Sequence, residues 1–157
     1  MIRILFICHG NICRSPMAEF VFRDMVEKQG LGTHFTIASA ATSSEELGNP
    51  VHHGTRRKLA EHGISCEGKR AIRLRLSDYA DYDYLLAMDD YNLSNMRRML
   101  GPDPMHKMHL LLDFSRQPRA IADPWYTGNF DQTYEDIWEG CCGLLAHLKQ
   151  KFPELCE

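Results

Sequence analysis

The first apolar run, Ile2-Arg3-Ile4-Leu5-Phe6-Ile7, is short and rich in β-branched residues, and it stops at Cys8-His9-Gly10-Asn11. Such a run predicts a buried strand. From Ser15 to about Gln29 the apolar positions recur at helical spacing, with Pro16 near the start and Gly30-Leu31-Gly32 at the end. His34 to Ser39 reads as a second strand, and Thr42 to Pro50 as a polar loop with strong turn signals. Val51 to about His62 predicts a second helix, stopped by Gly63. A connector from Ile72 to Asp81 predicts a short strand and a turn. Tyr84 to Met88 is a third strand, Asp90 to Leu100 a helix, and Lys107 to Leu112 a fourth strand. A long loop from Asp113 to Phe130 precedes a final amphipathic helix, Asp131 to Lys151, with Trp138, Leu145 and Leu148 as candidate core contacts.

Strands alternating with helices predict one α/β domain over residues 1–157, a Rossmann-like four-stranded parallel sheet flanked by helices on both faces. Ligands bind such sheets beyond the carboxyl ends of the strands. Cys8, Ser39 with Ala40, and Asp89 all fall at that rim.

Composition narrows the picture. The chain is 44% hydrophobic and 25% charged, as an ordinary globular protein is. A net charge of −3 argues against a nucleic-acid partner, which requires a basic surface. No apolar run reaches membrane-spanning length, and Ile2 to Ile7 is too short for a signal peptide. The expected location is therefore the cytoplasm. Six cysteines show no framework spacing, and Cys66, Cys141, Cys142 and Cys156 read as free or buried thiols in a reducing compartment.

The chemistry concentrates between Cys8 and Pro16. A strand, a tight loop and a helix start aim backbone N–H groups at one point, and the helix dipole adds positive potential. Gly10 and Asn11 suit left-handed positions of such a nest. Cys8 opens the nest, and Arg14 follows six residues later. A thiol aimed at amides and a guanidinium is favoured as thiolate, and the Arg fork matches two oxygens of a tetrahedral anion. These are the parts of a nucleophilic phosphatase. The competing view, a buried structural thiol, leaves the surrounding pattern unexplained.

The stretch resembles the low-molecular-weight protein tyrosine phosphatase signature, C-x-G-N-x-C-R-S-P. Ser39-Ala40-Ala41-Thr42, Gly48-Asn49-Pro50 and Asp123-Pro124-Trp125-Tyr126 are similar to further stretches of that family. The resemblance implies a phosphotyrosine phosphatase I-like fold and a metal-independent, cofactor-free hydrolase acting on phosphotyrosine proteins or small aryl phosphates. Inorganic phosphate would be an inhibitory product. It implies Cys8 as nucleophile, Arg14 as oxyanion binder and Asp123 as general acid. His9, Gly10, Asn11, Ile12, Cys13, Arg14 and Ser15 would line the phosphate. Asn11, Ser15 and Ser39 would hold that loop in shape, and Asp89 would tie into the rim, with a helix N-cap as its rival role. Burial against Trp125 and Tyr126 would help Asp123 keep its proton. Asp-Pro is also a common turn.

His9, Ile12, Glu45, Trp125 and Tyr126 are expected to wall the substrate. Glu45 stands where many relatives carry an aromatic or apolar residue, and with Glu46 it would repel acidic peptide flanks. Phosphoarginine phosphatases resemble this family but favour Thr at the place of Ile12. Arsenate reductases resemble the scaffold too, but need a further Cys pair that the segment Tyr84 to Asp90 lacks. No G-x-G-x-x-G follows the first strand, as a dinucleotide module would require. His52-His53 and His106-x-x-His109 have no completing ligand at zinc spacing, so no metal is expected. Tyr79, Tyr82 and Tyr84 read as packing residues. A loop that wraps a phosphate also brings its ends together, so Cys13 is the expected disulfide partner of an oxidised Cys8.

Overall fold

The computed structural model describes residues 1–156. Four parallel strands form one sheet in the order β2-β1-β3-β4. β1 is Ile2–Cys8, β2 Phe35–Ala41, β3 Tyr84–Ala87 and β4 Met108–Leu110. The main helices are α1 (Arg14–Lys28), α2 (His53–Glu61), α4 (Asp90–Leu100) and α6 (Phe130–Lys151). Two single-turn helices, α3 (Asp78–Asp81) and α5 (Pro124–Thr127), sit in connectors.

Alternation along β1 divides the core. Ile4 and Phe6 pack on one face with Met17, Phe22 and Ile137 from α1 and α6. Leu5 and Ile7 pack on the other with Met96 of α4. β1 is therefore almost wholly apolar, because both of its faces are buried. Phe6 and Phe22 meet edge to face at 6.0 Å, and both rings are fully buried. Each contributes about 1.5–3 kcal/mol through that burial.

Several expectations need correction. β4 stops at Leu110, and Leu111–Phe114 turns as a 3-10 helix that still buries Leu111 and Leu112. An apolar run reports burial, not strand length. The Asp113 carboxylate accepts from the Leu110 amide at 2.9 Å and starts that turn. Residues 72–81 supply one bridge, Ala41 to Arg73, and then α3 rather than a strand. The long loop from Asp113 contains α5. Trp138 is 45% exposed, not core. The buried stripe of α6 is Ile137, Cys141, Leu144 and Leu148, which leaves Trp138 one position off the face. Gly143 lies on α6 where a Cβ would overlap the Phe114 carbonyl, so this helix sits hard against the turn after β4.

The carboxyl ends of β1, β2 and β3 converge on one rim. The chain winds from β1 out to β2 and then back across to β3, so the strand order reverses between β1 and β3. A crevice opens at such a point. Cys8 stands at its floor.

Candidate active site

Cys8 is the last residue of β1 and is buried. The loop after it turns through Asn11, which holds a left-handed backbone at φ 59°. Gly10 does not adopt positive φ, contrary to expectation. What Gly10 supplies is space: a Cβ there would stand 3.3 Å from the Glu46 side chain. The helix then starts at Arg14, and its N-cap residue Cys13 makes no side-chain capping bond. The first-turn amides of α1 are left to face the loop interior. The Ser15 amide lies 3.4 Å from Cys8 Sγ, and Ser15 Oγ lies 3.0 Å from it.

Polar side chains hold the loop from behind. Asn11 Nδ2 donates to Ser15 Oγ at 2.7 Å and to Ser39 Oγ at 2.9 Å, while Asn11 Oδ1 accepts from the Ile72 amide at 3.1 Å. All three side chains are fully buried.

Arg14 is 2% exposed. Its Nη1 donates to Asp89 Oδ2 at 2.7 Å and to the Ile121 carbonyl at 2.8 Å, and its Nη2 reaches Asp123 Oδ2 at 3.4 Å. Burial works against its charge, but Cys8, Asp89 and Asp123 outweigh burial and push Arg14 above the usual arginine range. Asp89 also caps α4, accepting from the Asn92 amide at 2.7 Å. The two roles weighed for Asp89 coexist, one on each carboxylate oxygen. Asp123 divides its oxygens similarly: Oδ1 accepts from the Trp125 amide at 3.0 Å and caps α5, and Oδ2 faces Arg14. Burial pushes the Cys13 thiol up to about 12, with Cys8 and Asp123 adding to the effect.

A cavity of about 110 Å³ is lined by Cys8, His9, Gly10, Ile12, Cys13, Arg14, Glu45, Glu46, Asp123, Trp125 and Tyr126. Its floor is thiol and amides, its side is Arg14 and Asp123, and its rim is aromatic and acidic. A family model, low molecular weight phosphotyrosine protein phosphatase, matches residues 3–154. The chain belongs to that family. The low molecular weight protein-tyrosine-phosphatase YfkJ of Bacillus subtilis is 40% identical over 153 residues, covering 96% of this chain and 98% of that protein. The YfkJ crystal structure superposes with a TM-score of 0.94 and covers 97% of each chain. PtpA of Staphylococcus epidermidis is 34% identical over 149 residues, 94% of each protein. The Drosophila arginine phosphatase DARP is 31% identical, with a TM-score of 0.85 over 93% of this chain and 97% of that one.

Among the residues expected in this phosphatase family site, Asn11, Ser15 and Ser39 lie behind the cavity wall, and Asp89 lines an adjoining recess with Tyr91. Trp125 and Tyr126 require a correction. They are 56% and 83% exposed, so they stand at the mouth and do not bury Asp123. His9 Nε2 bonds Glu45 Oε2 at 2.9 Å across the rim, and Ser43 Oγ donates to the His9 carbonyl at 2.9 Å. Glu46, expected only as a charge at the mouth, fills the space beside Gly10. His52 has a packing and capping role that its pairing with His53 in the sequence does not signal. Its Nδ1 accepts from the Gly54 amide at 3.0 Å, and its ring packs against Trp125 at 5.6 Å and Phe130 at 5.3 Å. Sequence reasoning also missed Glu19 and Lys69, which meet beneath the loop. The only signal for Glu19 was a carboxylate on the buried face of an otherwise apolar stretch of α1.

Proposed function

We propose that this chain hydrolyses phosphotyrosine in proteins, and small aryl phosphates, through a cysteinyl-phosphate. The observation that carries the reading is Cys8 Sγ, flanked by the Ser15 hydroxyl and amide, on the floor of a cavity walled by Arg14 and Asp123. Cys8 attacks phosphorus in line with the leaving oxygen. The loop amides and Arg14 hold the equatorial oxygens, and Asp123 gives its proton to the departing phenoxide. The P–O bond breaks as the S–P bond forms. Water then attacks the cysteinyl-phosphate, Asp123 takes its proton, and phosphate leaves with the thiolate restored. Product phosphate occupies the same nest and competes with substrate. The amides and Arg14 neutralise the charge, so the chemistry needs neither metal nor cofactor. The family model's match from residue 3 to 154 supports one continuous phosphatase domain.

Substrate choice falls to the rim. Ile12 presents an apolar wall suited to a phenyl ring, and Trp125 and Tyr126 offer aromatic faces at the mouth. A short phosphoserine arm reaches Cys8 poorly from that mouth. DARP's name keeps phosphoarginine as the second reading. The test is a matched panel of phosphotyrosine, phosphoserine and phosphoarginine peptides. Phosphotyrosine is expected to give the highest kcat/KM, and a preference for phosphoarginine would overturn the assignment.

Peroxide is expected to inactivate the enzyme reversibly by a Cys8–Cys13 disulfide. Both are free, buried thiols in one loop. Cys13 stays protonated at neutral pH, so it attacks a sulfenic acid slowly. Recovery by a thiol reductant, lost in Cys13→Ser, supports the bridge; equal recovery in that variant removes it. The cysteine spacing, which has no disulfide framework, supports a reducing setting, and the cytoplasm is the proposed location.

A further inference from the structure

The hydrogen bonds behind the phosphate loop have a determined direction. The Ile72 amide donates to Asn11 Oδ1, so Asn11 Nδ2 must supply both remaining bonds, one to Ser15 Oγ and one to Ser39 Oγ. Ser15 Oγ accepts from Asn11, and its own proton is left for Cys8 Sγ at 3.0 Å. Ser39 Oγ likewise accepts from Asn11, and its proton goes to Glu19 Oε1 at 2.5 Å. A carboxylate at Glu19 keeps this order.

Glu19 is 5% exposed, and a buried carboxylate needs counter-charge. Two cations supply it. Arg23 Nη2 donates to Glu19 Oε2 at 2.9 Å and to the Ile37 carbonyl at 2.7 Å. Lys69 Nζ stands 3.7 Å from Glu19 Oε1 and donates to the Ser39 carbonyl at 3.0 Å. Two cations against one carboxylate leave this cluster net positive behind Cys8, with Glu19 buried, Lys69 nearly so and the Arg23 side chain 36% exposed.

We infer that Lys69 is a positioning residue for the nucleophile, holding Glu19 as the terminal acceptor of the Ser39–Asn11–Ser15 chain and adding positive potential beneath the Cys8 thiolate. Neither Lys69 nor Glu19 touches the cavity; they act through the chain. The charged and titratable groups around Cys8 are His9, Cys13, Arg14, Glu45, Glu46, Asp123 and Tyr126 in the loop and cavity, with Lys69 behind. Around Lys69 they are Glu19, Arg23 and Cys8, with Arg56, Cys66 and Glu67 lining the same surface recess. Burial draws the Lys69 ammonium below the usual lysine range, Glu19 draws it up, and Arg23 draws it down again.

The inference rests on Cys8 as the nucleophile, so the test reads Cys8 without turnover. Iodoacetamide alkylation is followed by mass analysis from acid to neutral pH in wild type, Lys69→Met, Lys69→Arg and Ser39→Ala. Melting curves confirm that each variant is folded. Lys69→Met is expected to raise the pH midpoint of Cys8 alkylation by about one unit, slowing labelling up to about tenfold below the midpoint. Lys69→Arg, which keeps the charge, recovers most of the shift. Ser39→Ala severs the chain without removing a charge and moves the midpoint the same way by less; it decides the matter if Lys69→Met does not fold. Midpoints unmoved within about 0.2 unit in folded variants would overturn the inference. Failure of wild type to label first at Cys8 would instead remove the nucleophile assignment.

Discussion

The inner wall and the mouth of the cavity are built differently. The inner wall is Cys8 and Arg14, backed by Asn11, Ser15 and Ser39, all buried and cross-linked by hydrogen bonds among β1, α1, β2 and the Ile72 amide. The mouth is Glu45, Trp125 and Tyr126, with the Glu45 side chain 70% exposed and held by a single contact to His9. A buried, fully paired network has one arrangement and high penalties for leaving it. An exposed pair is worth about 0–1 kcal/mol and moves easily. Under the proposed function, reactivity rests on the inner wall and selectivity on the mouth.

The sharpest break is Cys8→Ser. It is expected to lower kcat by about 10⁴-fold or more with the fold retained, because a hydroxyl is a poor nucleophile at neutral pH. Appreciable turnover of an aryl phosphate by the variant would remove the assignment. Arg14→Lys comes next, at about 10²–10³-fold in kcat/KM. A lysine keeps the charge, but it cannot span Asp89, the Ile121 carbonyl and an oxyanion at once. A near-wild-type kcat/KM would show that charge alone suffices.

Asp123 lies between the two regions, with one oxygen on Arg14 and one on the α5 turn. Asp123→Asn is expected to cost about 10²-fold on esters with poor leaving groups and little on activated aryl phosphates. The alkaline limb of its kcat/KM profile should flatten; an unchanged limb would place the acid elsewhere.

Cys13 tests the inner wall through stability. Burial pushes its thiol from an ordinary 9.0 up to about 12. Between those values the unfolded chain loses the thiol proton while the folded chain keeps it, so unfolding is favoured as pH rises. The loss reaches at most about 1.4 kcal/mol per pH unit. Denaturant titrations from pH 8 upward should therefore fall less steeply for Cys13→Ala than for wild type. Parallel slopes would mean that Cys13 is not held protonated by burial. The smallest effect is expected at the mouth. Glu45→Tyr breaks the His9 contact, removes a charge and adds a ring, and it should raise kcat/KM on acidic-flanked phosphotyrosine peptides by roughly threefold. Equal gains on basic-flanked peptides would show that the charge of Glu45 is irrelevant.

Much of this was legible before any coordinates. Strand β1 and helix α1 were placed to within one residue, because a doubly buried strand and an amphipathic helix write their periodicity directly. The α4 bounds, Asp90 to Leu100, agreed at both ends, since Asp89 caps one end and Gly101 stops the other. β4 was overextended and Trp138 misplaced, because apolar residues mark burial or its neighbourhood and do not say which backbone conformation buries them.

The sequence by itself brought together Cys8, the nest and Arg14, the residues proposed as nucleophile and oxyanion binder. Cys8 to Ser15 is one short stretch, and backbone geometry alone brings its ends together around an anion. It also determined the fold class, which follows from the alternation of strand and helix periods. Only the tertiary structure decided that Asp123 meets Arg14 from 109 residues away, that Asp89 serves a helix cap and an arginine together, and that Trp125 and Tyr126 stay in solvent. Only the tertiary structure brought Lys69 under Ser39 and Glu19. Those contacts depend on how loops from different strands cross one rim, and no local pattern records the distance between residues that chain entropy keeps apart until the sheet forms.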